Sequence, residues 1–130
     1  MSEQIVARSA VLPTKGYSQA IRSGDLVFVS GQVSQDTTGA VVGIGDAAVQ
    51  ADQVFKNLKA VLEAAGSGLD LILKTTVLTT KLEYRPVISE ARERYLGPLG
   101  EFPASTFMVV SSLALPEWLI EIEAIATVRR

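Results

Sequence analysis

Residues 102–128, FPASTFMVVSSLALPEWLIEIEAIATV, decide the fold. The stretch reads as two strands, about 105–113 and 118–128, separated by the corner Ala114-Leu115-Pro116. In the second strand the even positions Ile120, Ile122, Ala124, Ala126 and Val128 are all apolar. The odd positions Leu119, Glu121, Glu123, Ile125 and Thr127 are mixed. A period of two puts the even set on a core face and the odd set on the other. A carboxylate in so apolar a strand either meets solvent or sits in a cleft. Burial in a cleft raises its pKa toward the range useful for proton transfer at neutral pH. Glu123 lies two residues further on, about 7 Å along the strand; the two could form a carboxylate pair, but Glu123 reads better as a structural or solvated glutamate.

Working outward, Leu26–Ser30 (LVFVS) is a strong β run. Gly31 interrupts it before Gln32–Gln35, which signals a bulge or a close approach of backbone to another group. Residues 3–9 alternate weakly and predict a first strand. Asp36–Gly39 reads as a hairpin turn, with Ala40–Val42 as a short return strand. Asp46 is a good N-cap for a helix over 47–65, with Val54, Phe55, Leu58, Val61, Leu62 and Ala65 on one face and Gly66 as the stop. A strand over about 71–79 follows. Pro86 opens a second helix over about 86–96, whose buried side carries Val87, Ile88, Ala91 and Tyr95. The order is β-β-β-α-β-α-β-β. It predicts a single α+β domain over 1–130, one sheet with both helices on one face. No third helix is available for the other face, so self-association is expected to cover it, as in a trimer whose sheets close into a central barrel.

Composition excludes several chemistries. The 130 residues contain neither cysteine nor histidine. That removes thiolate nucleophiles, disulfides, the Ser-His-Asp triad and the commonest transition-metal ligands. Catalysis must therefore rest on carboxylates, hydroxyls, lysines, arginines or backbone amides; a hard-cation site of oxygens remains possible, but no clustered Asp/Asn loop of that kind appears. A net charge of −2 with scattered basic residues argues against a nucleic-acid footprint. No apolar run is long enough to span a membrane, and Met-Ser-Glu-Gln does not resemble a secretory signal. A cytoplasmic location is expected.

Five separated motifs, in order, resemble the Rid family (YjgF/YER057c/UK114). They are Gly16–Ala20 (GYSQA), Val29–Gln32 (VSGQ), Asn57–Gly66 (NLKAVLEAAG), Lys74–Val77 (KTTV), and Pro103-Ala104 with Ile120–Ala126 (IEIEAIA). The resemblance implies a chorismate-mutase-like fold, a homotrimer and three clefts between subunits. It also implies hydrolysis of 2-aminoacrylate-type enamines and imines to keto acids and ammonia, without metal or cofactor. Carried over residue by residue, Tyr17, Ser30 and Glu121 are the catalytic candidates, with Glu121 positioning or activating water. Gly31, Ser89, Ser105 and Thr106 are the substrate-binding candidates. The family's carboxylate-binding arginine follows the Pro-Ala pair, and Ser105 stands there in this chain. A hydroxyl cannot replace a planar, doubly hydrogen-bonding guanidinium, so an altered substrate preference is expected. Arg85, Arg92 and Arg94 are possible substitutes, although Arg94 could equally pair with Glu90 along its helix. Trp118 reads as packing, or as an edge of the cleft. A non-catalytic small-molecule binder remains the alternative. A ribonuclease or translation inhibitor fits the charge and the missing histidine least well.

Overall fold

Glu121 lies near the middle of a mixed six-stranded sheet because the last strand, although C-terminal, is inserted between two earlier ones. In a computed structural model of the chain, residues 2–5, 7 and 11–130 are described. The elements are β1 (Ser2–Ile5), β2 (Ala20–Ser23), β3 (Leu26–Val33), α1 (Ala47–Ala64), β4 (Ile72–Thr79), α2 (Arg85–Leu96), β5 (Ala104–Val109) and β6 (Ile120–Thr127). The strand order is β1-β2-β3-β6-β4-β5. Every pairing is antiparallel except β4 with β5. A parallel pair needs a long crossover, and α2 supplies it. The strands β5 and β6, adjacent in sequence, both pair with β4 and lie on opposite sides of it. The Ala114–Pro116 corner therefore carries the chain past β4 rather than closing a hairpin.

The alternation along β6 sets the two faces. Ile120, Ile122, Ala124, Ala126 and Val128 are buried against the helices, together with Val27 and Val29 of β3 and Val77 of β4. Each fully buried Ile or Val side chain is worth roughly 1.5–3 kcal/mol. α1 contributes Val54, Phe55, Leu58, Val61 and Leu62 to the same core, and α2 contributes Ile88, Ala91 and Leu96. Asp46 caps α1 by accepting from the Val49 amide at 3.1 Å. Gly66 ends it with φ +78°, a conformation that strains any residue with a Cβ. Among the described residues, no helix covers the opposite sheet face. There Phe28 is 44% and Met108 46% exposed.

Three expectations need correction. β2 forms from Ala20–Ser23, a segment whose polar flanks hid a strand only four residues long. Ala40–Val42 is not a strand, because its pairing is reduced to one bridge between Val41 and Gln35, beyond the end of β3. β5 stops at Val109 rather than near 113, although the Val110 amide still donates to the Thr79 carbonyl at 2.8 Å. β1 covers the start of the expected 3–9 strand, and residues 6 and 8–10 lie outside the described residues.

Candidate active site

The site begins with a fault in the β3–β6 ladder. Val29 pairs with Ala124 and Gln32 with Ile122, so Ser30 and Gly31 together face the single residue Glu123. This two-against-one bulge bends β3 and opens room beside it. Glu121 fills that room. A Cβ built on Gly31 would lie 2.5 Å from the Glu121 carboxyl carbon and 2.5 Å from its Oε2. Only a residue without a side chain lets the carboxylate rest against the backbone here.

The bulge is stitched to the preceding segment. The Ser30 amide donates to the Gln19 carbonyl at 2.9 Å, and its hydroxyl donates to the Ser18 carbonyl at 2.6 Å. The Gln19 side chain is buried, accepts from the Ala7 amide at 2.7 Å and donates to the Leu12 carbonyl at 2.6 Å. These bonds hold the loop that presents Tyr17, itself 59% exposed. From the other side, buried Gln50 of α1 donates to the Gly43 and Glu117 carbonyls and accepts from the Leu119 amide. That fixes the 114–118 segment as a roof. Asn57 of α1 donates to the carbonyls of Val33 and Gln35, holding the end of β3.

Together these elements enclose a cavity of about 80 Å³, with Tyr17, Gly31, Gln32, Asn57, Trp118 and Glu121 in its wall. Burial pushes the Glu121 carboxyl above the ordinary range, and the nearby charge of Glu123 pushes the same way. Among the described residues, the Trp118 indole N–H is the one buried side-chain polar atom without a hydrogen-bond partner. Leaving such a donor unpaired costs about 1–3 kcal/mol. No group of acidic side chains suited to a metal ion occurs among the described residues.

The other sequence candidates lie elsewhere in the chain. Ser30 lines a separate groove of about 240 Å³ on the open sheet face with Phe28 and Glu123. Ser105 pairs in register with Thr75 of β4 and accepts from its hydroxyl at 3.2 Å. Thr75 is buried on the helix side of the sheet, whereas Glu121 belongs to the opposite face. Thr106 shares that opposite face, in a cross-strand row with Thr76 and Glu123. Ser89 of α2 accepts from Arg92 at 3.2 Å. Arg85 lies over the Phe107 ring at 5.4 Å, and Arg94 pairs with Asp52 of α1 at 3.4 Å rather than with Glu90. None of the three arginines lines the Glu121 cavity.

The comparisons with known proteins now bear on this geometry. A family profile described as endoribonuclease L-PSP matches residues 7–128. A RutC family protein of Pyrococcus horikoshii is 38% identical over 126 residues, covering 97% of this chain and 98% of its own. This chain belongs to the Rid family. A second Rid relative, the 2-iminobutanoate/2-iminopropanoate deaminase of Salmonella typhimurium, is 37% identical and covered in full by a match spanning the whole of this chain. Among solved structures, Escherichia coli TdcF with bound serine superposes with a TM-score of 0.88 at 30% identity, covering 96% of this chain and 98% of that one. The single mixed sheet with two helices on one face is thus the Rid fold, and no helix of the described residues is long and apolar enough to cross a membrane.

Gln19 and Asn57 stood inside quoted motifs, yet sequence reasoning gave neither them nor Gln50 a role. Their signal was present: Gln50 and Asn57 lie on the apolar stripe of α1, four residues before and three after Val54. A polar side chain on a core stripe implies a buried hydrogen-bonding duty.

Proposed function

We propose that this Rid protein hydrolyses small enamines and imines to carbonyl compounds and ammonia, with Glu121 as the proton-handling group. The observation that carries the reading is the Glu121 carboxylate against Gly31 inside a small, partly apolar cavity. The deaminase activity named for the Salmonella relative supports the reaction class. A protonated Glu121 gives its proton to the enamine carbon, leaving an iminium ion. The carboxylate then takes a proton from water as the water oxygen adds to the C=N carbon. Glu121 passes that proton to the carbinolamine nitrogen, ammonia leaves as the C=O bond forms, and the hydroxyl proton returns to the carboxylate, restoring protonated Glu121. Tyr17 holds a polar group of the ligand, Gly31 lets the reacting atoms approach the backbone, and Ser30 acts from behind, its hydroxyl on the Ser18 carbonyl fixing the loop that presents Tyr17.

A homotrimer completes the site in this reading. The uncovered sheet face, with Phe28 and Met108, is the surface it buries. The cleft then lies between subunits and brings Ser105, Thr106 and Ser89 of one protomer toward Glu121 of the next. With serine at position 105, no arginine awaits an α-carboxylate, so the preferred substrate differs from a 2-imino acid. The same serine favours a second reading, a small-molecule-binding trimer without turnover. A ribonuclease, although it stands in the family profile's description, is disfavoured by the net charge of −2 and the absence of histidine.

The test is ammonia release from a panel of freshly generated enamines and imines, with and without an α-carboxylate. The hydrolase reading expects turnover that falls by about 10²-fold or more in Glu121→Gln. No turnover by the wild type, with ligand-induced thermal stabilisation retained, establishes the binder instead.

A further inference from the structure

The Glu121 cavity opens onto a neighbour. Leu12, Thr14, Tyr17, Gln35 and Trp118 line it and also line a second cavity of about 450 Å³, completed by Pro13 and Lys15. The charges are segregated between the two. Among the described residues that line them, Glu121 is the sole acidic side chain of the inner cavity and Lys15 the sole cation of the outer one. Their sizes differ in a way that matters. An apolar cavity of about 150 Å³ holds a benzene molecule. The inner space, about 80 Å³, is too small for a ring, and the outer one has room to spare.

We propose that the outer cavity is a second substrate subsite, selecting compounds whose reactive nitrogen is joined through a flat or apolar spacer to a distal anion. The nitrogen enters the inner cavity at Glu121. The spacer rests against Tyr17 and Trp118, whose aromatic surfaces suit a flat group. The anion is met by Lys15. This rests on the reading of the inner cavity as the reaction site. It also gives a physical reason for the serine at position 105: a substrate whose negative charge lies far from its nitrogen has no use for an arginine beside the reacting carbon.

The probe is 4-(aminomethyl)benzoate, an unreactive amine with a ring spacer and a distal carboxylate, titrated by calorimetry. Benzylamine, which lacks the anion, and serine, whose carboxylate adjoins the nitrogen, are the controls. Trp118 is the chain's only tryptophan, so quenching of its fluorescence locates the probe. Lys15 is exposed, and Lys15→Met is expected to fold normally. It is expected to weaken the benzoate about three- to fivefold, as for an exposed ion pair. Benzylamine and serine should be unchanged, and Lys15→Arg should restore the benzoate. Equal affinity of wild type and Lys15→Met for the benzoate, equal losses for all three probes, or no binding of the benzoate by the wild type overturns the subsite. Turnover by Glu121→Gln judges the parent reading separately: a variant that still hydrolyses imines at the wild-type rate refutes the role of Glu121, whatever Lys15 does.

Discussion

Gly31→Ala isolates the contact on which the site depends. The added methyl would stand 2.5 Å from both the carboxyl carbon and Oε2 of Glu121, and 2.7 Å from its Cγ. Ordinary contact begins near 3.4 Å, so the carboxylate must retreat by about 0.9 Å. The backbone does not oppose the change, since Gly31 is absent from the positive-φ glycines. The obstacle is the end of a side chain, which can rotate aside, so the cost in stability should stay near the low end of the roughly 1–3 kcal/mol seen for overpacking. Activity is far less forgiving, because a misplacement of about 1 Å at a reacting group can cost about 10²-fold in rate. The expected result is a kcat/KM for imine hydrolysis lowered by about 10²-fold, measured by ammonia release. The thermal midpoint should fall by only a few degrees, at about 3–5 °C per kcal/mol for a chain of this length. A variant with wild-type kcat/KM would refute the claim that the Glu121–Gly31 contact sets the catalytic geometry. A variant that does not fold would show that the bulge has no room to relax, contrary to the flexible-side-chain argument.

Three further expectations follow from particular contacts. Gln50→Leu removes one acceptor and two donor contacts to the carbonyls and amide of Gly43, Glu117 and Leu119. It should destabilise the protein by about 2–4 kcal/mol, since each stranded buried group costs about 1–3 kcal/mol, and it should shift the Trp118 emission maximum; denaturant unfolding with fluorescence detection checks both. Glu121 has a folded-state pKa raised above the ordinary carboxylate value by burial and by Glu123, so the fold binds its proton more tightly than the unfolded chain does. Stability is then lost as pH rises through the unfolded and folded values. Glu121→Gln should accordingly be more stable than wild type at pH 7, with the advantage vanishing below the unfolded value. Tyr95 donates to Asp52 at 2.7 Å, and burial first, then Asp52, push its pKa up to about 12. Between pH 10 and about 12 the unfolded chain loses this proton while the fold keeps it, so stability falls over that window; Tyr95→Phe should flatten this alkaline limb in chemical-denaturation measurements.

Local chemistry made much of the fold legible. α1 was expected over 47–65 and spans 47–64, because its cap, apolar stripe and terminating glycine all lie within one short stretch. The faces of β6 followed from strict alternation. β2 was missed because four residues with Arg22 and Ser23 among them carry no β signal of their own. They become a strand only by pairing with β1 and β3, which is a non-local event. The insertion of β6 between β3 and β4 is equally non-local. At the site, Gly31 was readable as a bulge or a close approach, and it is both. Which atoms approach it depends on the β3–β6 register, which no single strand encodes. Ser105 and Glu121 belong to opposite faces for the same reason: their relation passes through two pairings with β4.

The most direct test of the account is the pH dependence of kcat/KM for hydrolysis of an enamine or imine substrate, compared between wild type and Glu121→Gln. The account predicts a wild-type ionisation above the ordinary carboxylate range, and in the variant the loss of both that ionisation and most of the rate. Profiles of the same shape and height for the two proteins would contradict it.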